Sequence, residues 1–89
     1  VKNVKENKPI AVLTHKLSYA IDFMRENKKL REINGAKRRL VGEDGQVYCI
    51  ITEPMQLRGL EISDFIIVPG AGLSPHFAEM YDWAQAIKR

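Results

Sequence analysis

Cysteine is nearly missing from this chain. Of its 89 residues only Cys49 carries a thiol, so no internal disulfide can staple the fold. Cys49 sits in the apolar run Val47-Tyr48-Cys49-Ile50-Ile51, which predicts a buried thiol in a reducing, cytoplasmic compartment. No apolar stretch approaches the roughly 18 residues of a membrane span, so no membrane partner is expected. The first eight residues, Val1 to Lys8, are polar and charged, unlike a secretory leader. The two histidines, His15 and His76, lie far apart in the sequence and show no metal-ligand spacing with the lone cysteine. There is no Gly-x-x-x-x-Gly-Lys-Ser/Thr loop to cradle phosphates, so the chain is not expected to hydrolyse a nucleotide by itself. No Ser-His-Asp or Cys-His order points to a nucleophile. No catalytic residue, metal or cofactor is therefore assigned, and repeats and low-complexity segments are lacking too.

What is present bounds the rest. A chain of this length makes one domain and buries only about 60–65% of its unfolded surface. Hydrophobic content of 45% is ordinary for a globular protein. A net charge of +3 and a pI near 9.2 favour anionic partners without demanding nucleic acid. Much of the excess is local, in Lys28, Lys29, Arg31, Lys37, Arg38 and Arg39.

Val1 to Lys8 reads as a flexible arm, and residues 9–89 as one α/β domain. Ile10-Ala11-Val12-Leu13 is a first strand whose unbroken hydrophobicity suits cover on both faces. Leu17, Ala20, Ile21 and Met24 recur at helical spacing, and Asn34-Gly35 is a stop and turn signal. Arg38 to Val41 and Gln46 to Thr52 form a hairpin around Gly42-Glu43-Asp44-Gly45. Met55 to Leu60 is one helical turn, and Phe65 to Val68 another apolar strand. Ser74 is placed as N-cap and Pro75 as the first residue of a last helix carrying Phe77, Met80, Tyr81, Ala84 and Ile87 on one face. The expected architecture is a small α/β sandwich. It has a mostly parallel sheet of three or four strands, two main helices, and the Arg38 strand as a charged antiparallel edge.

The most informative stretch is Thr52-Glu53-Pro54-Met55-Gln56-Leu57-Arg58-Gly59-Leu60-Glu61-Ile62, between two apolar strands. It resembles the fifth motif of superfamily-2 helicases, in which a strand ends in Thr-Asp and an Arg-Gly-Leu-Asp-Ile follows. Ala11-Val12-Leu13-Thr14-His15 with the helix after it looks like the fourth motif, in the correct order. The resemblance covers about half of the chain and implies a RecA-like fold. It also implies that Thr52 faces nucleic acid and that Glu61 lies near a nucleotide. Physical chemistry agrees with part of this. A threonine and backbone N–H groups at a strand end can donate to phosphate, Arg58 offers a planar fork, and Gly59 allows close backbone approach. The chain departs from the pattern with Glu53 and Glu61 in place of Asp, with Pro54 after the threonine, and in lacking a sixth motif near Gly70 to Ala78.

Weaker signals stand beside ordinary explanations. Gly70, Gly72 and Ser74 lie between a strand and a helix, where amides and the helix dipole attract anions. The string also resembles the nucleotide loop of sirtuins, over that fragment alone; a capped turn is the plainer reading. Lys37, Arg38 and Arg39 are phosphate-binding candidates or a solvated face, with no interleaved aromatics for base stacking. Trp83 and Tyr81 belong either to the core or, if exposed, to a protein interface. The expected function is a non-catalytic, helicase-like module that binds DNA or RNA backbone through Thr52, Arg58, Gly59 and Lys37 to Arg39. The alternatives are a small regulatory protein, of the sort viruses use as accessories, that binds a larger protein or itself, and a nucleotide-binding domain using the Gly70–Gly72 loop.

Overall fold

Residues 8–88 are described in the computed structural model. Most of the expected N-terminal arm, residues 1–7, lies outside them. In chain order the elements are β1 (Ile10–Leu13), α1 (Leu17–Asn27), β2 (Leu30–Asn34), β3 (Arg39–Gly42), β4 (Val47–Ile51), a 3-10 helix (Pro54–Leu57), β5 (Asp64–Ile67), a 3-10 turn (Ala71–Leu73) and α2 (Phe77–Ile87).

The strands form one five-stranded sheet in the order β2-β3-β4-β1-β5. The three apolar runs make its parallel part, with β1 between β4 and β5. The sheet as a whole is mixed rather than mostly parallel, because β2 pairs antiparallel with β3 and β3 with β4. The expected Arg38 edge strand is corrected as well: β3 is internal, and β2 is the edge outside it. β2 escapes the sequence pattern because Leu30-Arg31-Glu32-Ile33-Asn34 carries charges mid-strand. Its register also shifts between Leu30 and Glu32, so no clean alternation survives.

Alternation along β1 divides the core. Ala11 and Leu13 join Ile51, Leu57, Ile62, Met80 and Ala84 on the α2 face. Val12 joins Ala20, Met24, Leu40, Tyr48, Ile50 and Val68 on the α1 face. Each of the valine, leucine, isoleucine and methionine side chains among them, once buried, contributes about 1.5–3 kcal/mol. The central strand is fully apolar because both of its faces are covered.

The ends of the helices differ from expectation for local reasons. α1 stops at Asn27, and Lys28 turns to extended backbone, which starts β2. α2 starts at Phe77 with His76 at its cap, rather than at Pro75. The chain from Ala71 to Ser74 is instead spent on a 3-10 turn in which the Ser74 N–H donates to the Ala71 carbonyl at 3.0 Å. The expected turn at Met55 to Leu60 is the 3-10 helix Pro54–Leu57. Cys49 is half-buried rather than buried.

Candidate nucleic-acid interface

The carboxyl ends of β1, β4 and β5 share one end of the sheet, since these strands are parallel and in register. β3 runs the other way with Arg39 opposite Cys49, so its start and the β2–β3 turn lie at that same end. The Ile50 N–H donates to the Arg38 carbonyl at 2.9 Å, which fastens the turn to β4. Lys37, Arg38 and Arg39 thus reach the rim to which Thr52 and the Pro69–Ser74 loop also belong. From β1 the chain leaves to the α1 face, and from β4 to the opposite face through Leu57. Adjacent parallel strands whose connections part in this way form a crevice where open α/β sheets commonly hold ligands.

The cationic turn is built from the backbone outward. The Asn34 side-chain oxygen accepts from the Lys37 N–H at 3.1 Å, and the Gly35 carbonyl from the Arg38 N–H at 3.1 Å. Arg38 then closes the turn at φ +53°, the left-handed region that costs an L-residue about 1–2 kcal/mol. Lys37, Arg38 and Arg39 are all exposed. Among the described residues none of the three forms an ion pair.

The basic cluster is not one patch. β2 separates Lys28 and Lys29 from Lys37 to Arg39, and its five residues span roughly 16 Å. Only the second group lies at the carboxyl rim.

Thr52 is half-buried at the end of β4, and its donors are largely engaged. Gln56 Oε1 accepts from the Thr52 N–H at 2.7 Å and from the Glu53 N–H at 3.3 Å. The Thr52 hydroxyl and the Gln56 amide lie 3.3 Å apart. The amides expected to meet phosphate are therefore held by Gln56, a residue the sequence reading passed over. Its signal was a Pro-x-Gln opening a helical turn, the place from which a side chain reaches back to the entry amides.

Arg58 and Gly59 follow the 3-10 helix, both exposed, with Gly59 at φ +75°. Their role there is a reversal that returns the chain toward Ser63, whose N–H donates to the Pro9 carbonyl at 3.1 Å. Glu61 is exposed, with Lys8 Nζ at 4.0 Å.

Gly70 adopts φ +93° in a turn closed by the Ala71 N–H donating to the Val68 carbonyl at 2.9 Å, with Pro69 before it. Ser74 is buried, and its hydroxyl oxygen accepts from the His76 N–H at 3.2 Å. The Ala71, Leu73, Ser74 and His76 amides are thus already bonded within this turn. His15 follows β1, half-buried, and its buried Nδ1 has no partner among the described residues. Trp83 packs against the α2-side core cluster, and Tyr81 stacks edge-on against Phe65 with ring centroids 5.6 Å apart.

Among the described residues no group of histidine, cysteine and carboxylate side chains could hold a metal ion. No helix among them is long and apolar enough to cross a membrane. No protein-family model, curated protein or solved structure matches this chain.

Proposed function

We propose that this protein binds the phosphate backbone of nucleic acid through the Lys37–Arg39 turn, as a non-catalytic module. One observation carries the reading: consecutive exposed cations stand on a hydrogen-bonded turn, and one of them, Arg38, occupies a strained left-handed position. Glycine or asparagine would hold that position at lower cost, so an arginine there is supported by a task other than folding. Arg39 extends the cationic surface along β3 toward Cys49. Thr52 is a secondary contact, since both its amide and its hydroxyl lie against the Gln56 side chain. Arg58 is a separate contact on the return loop, and the helicase-like reading of its motif stands as part of this proposal.

Anisotropy of labelled single-stranded and duplex DNA and RNA at two salt concentrations tests it. Binding should weaken with salt by about 0.9 in log–log slope for each phosphate neutralised on duplex DNA. Charge reversal at Arg38 and Arg39 together should abolish it. Unchanged affinity in that variant would refute the proposal.

A second reading, self-association or docking of a larger protein, is favoured by the outer edge of β5. That strand ends the sheet, and its Ile67 is 43% exposed. Unpaired apolar edges are templates for strand addition. A concentration-dependent dimer on a sizing column, lost in Ile67→Lys, supports this reading; a monomer at every concentration excludes self-association.

A further inference from the structure

At the opposite end of the sheet from the cationic turn, the surface opens into a cleft that lies outside the candidate interface. Its deeper part is about 250 Å³ and is lined by Lys28, Lys29, Gly42, Glu43, Asp44 and Tyr48. A shallower part adjoins it and adds Arg25. Arg25, Lys28 and Lys29 come from the last turn of α1 and the residues just after it. The facing wall is the β3–β4 turn, and the Glu43 N–H donates to the Lys29 carbonyl at 2.9 Å, so the two walls are fastened together.

Three features mark the cleft as a built site. First, cations line one wall and carboxylates the other, yet among the described residues they do not pair within 4.0 Å. Second, Tyr48 is only 4% exposed and lines the cleft, and its hydroxyl has no hydrogen-bond partner among the described residues. The hydroxyl tip itself is not sealed from solvent, so it is free to donate to a molecule in the cleft. Third, Gly42 is a glycine for space rather than for backbone freedom. A Cβ there would lie 2.8 Å from Asp44 Oδ1 and 3.6 Å from the Tyr48 ring. Asp44 is held in that space by accepting from the Gln46 N–H at 2.9 Å.

We propose that this cleft binds a small phosphorylated polyol, with its phosphate on Lys28 and Lys29 and its hydroxyls on Glu43, Asp44 and Tyr48. The cationic wall suits a doubly charged group better than a single carboxylate. The facing carboxylates accept from hydroxyls, which they would not do from a second anion. The Tyr48 phenol completes the set by donating to a hydroxyl or phosphate oxygen. This site is independent of the Lys37–Arg39 turn, because β2 lies between them.

Titration of ¹⁵N-labelled protein with ribose 5-phosphate, ribose and inorganic phosphate tests the proposal. Ribose 5-phosphate should shift the amides of Gly42, Glu43 and Tyr48 in a saturable way, inorganic phosphate should bind more weakly, and ribose should not bind. Tyr48→Phe should lower the affinity about fivefold, as expected for one lost hydrogen bond. Lys29→Ala, an exposed change that does not touch the core, should lower it at least as much. Equal binding of phosphate and ribose 5-phosphate overturns the proposal and leaves a simple cationic patch. It is also overturned by unchanged affinity in either variant, by shifts confined to Lys37–Arg39, or by no localised shift at millimolar ligand.

Discussion

Arg39 and Cys49 face each other across the antiparallel β3–β4 pair. Burial pushes the Cys49 thiol up from its ordinary 9.0, and the Arg39 guanidinium pulls it partly back. Cys49 should therefore alkylate slowly near neutral pH. Arg39→Ala removes the opposing charge, raises the thiol further and slows labelling at fixed pH. Rates of thiol labelling across a pH series in the two proteins check this; faster labelling in the variant would contradict it.

The same thiol and the Tyr48 phenol make stability fall in alkali. Both are raised in the folded state, the phenol by burial first and by Asp44 second. Groups raised on folding hold the unfolded chain's protons less well than the native chain's, so unfolding gains as they ionise. Their contribution is fully present below the ordinary values of 9.0 and 10.0 and is lost as pH rises through the higher folded-state values. Urea midpoints measured from pH 8 to 11 should decline in wild type, and less steeply in Tyr48→Phe.

Arg38→Gly separates folding from binding. Relief of the left-handed strain should raise stability by about 0.5–1 kcal/mol, after the greater freedom of glycine in the unfolded chain is set against it. Affinity for nucleic acid should fall in the same protein. A variant that is both less stable and equally tight would remove the argument from strain.

Gly42→Ala should destabilise by about 1 kcal/mol, since the new methyl displaces the Asp44 carboxylate from its bond to the Gln46 N–H. In an Asp44→Ala background the methyl meets no carboxylate, so the added cost of Gly42→Ala should nearly vanish. Additive effects in this double-mutant cycle would place the cost elsewhere.

Gln56→Ala should cost about 1 kcal/mol or more, because the Thr52 and Glu53 amides lose their acceptor. Gln56→Glu keeps an acceptor and should recover most of it. Thermal unfolding of the two variants decides the matter, and equal losses would mean that the amides find water instead.

How far the sequence was legible follows from which residues faced what. β1, β4 and β5 stood out because they read as apolar runs, although only β1 and β4 lie inside the sheet and β5 is its half-exposed edge, and their parallel grouping was foreseen. The α1 stripe held as well, with Ala20 and Met24 buried. β2 did not stand out, because an exposed edge strand needs no apolar alternation, and overlooking it put β3 at the wrong place in the sheet. The same omission made the basic residues look contiguous, although five residues of extended chain carry Lys29 and Lys37 to opposite ends. Of the candidate site, residue types were visible but their engagement was not: that Gln56 holds the Thr52 amide, or that Ser74 turns back to His76, depends on side-chain reach that spacing alone does not encode.

The central position of β1 also orders the events of folding. β2, β3 and β4 join through short turns and can zip locally, whereas Ile10 must find both Tyr48 and Asp64 across long stretches of chain. Closing those loops is entropically slow, so the meander should form early and the β1 register last. Truncations in the meander, such as Leu40→Ala, should then slow refolding, while Val12→Ala should act mainly by speeding unfolding. The strand that ends up most deeply enclosed is, on this account, the latest arrival.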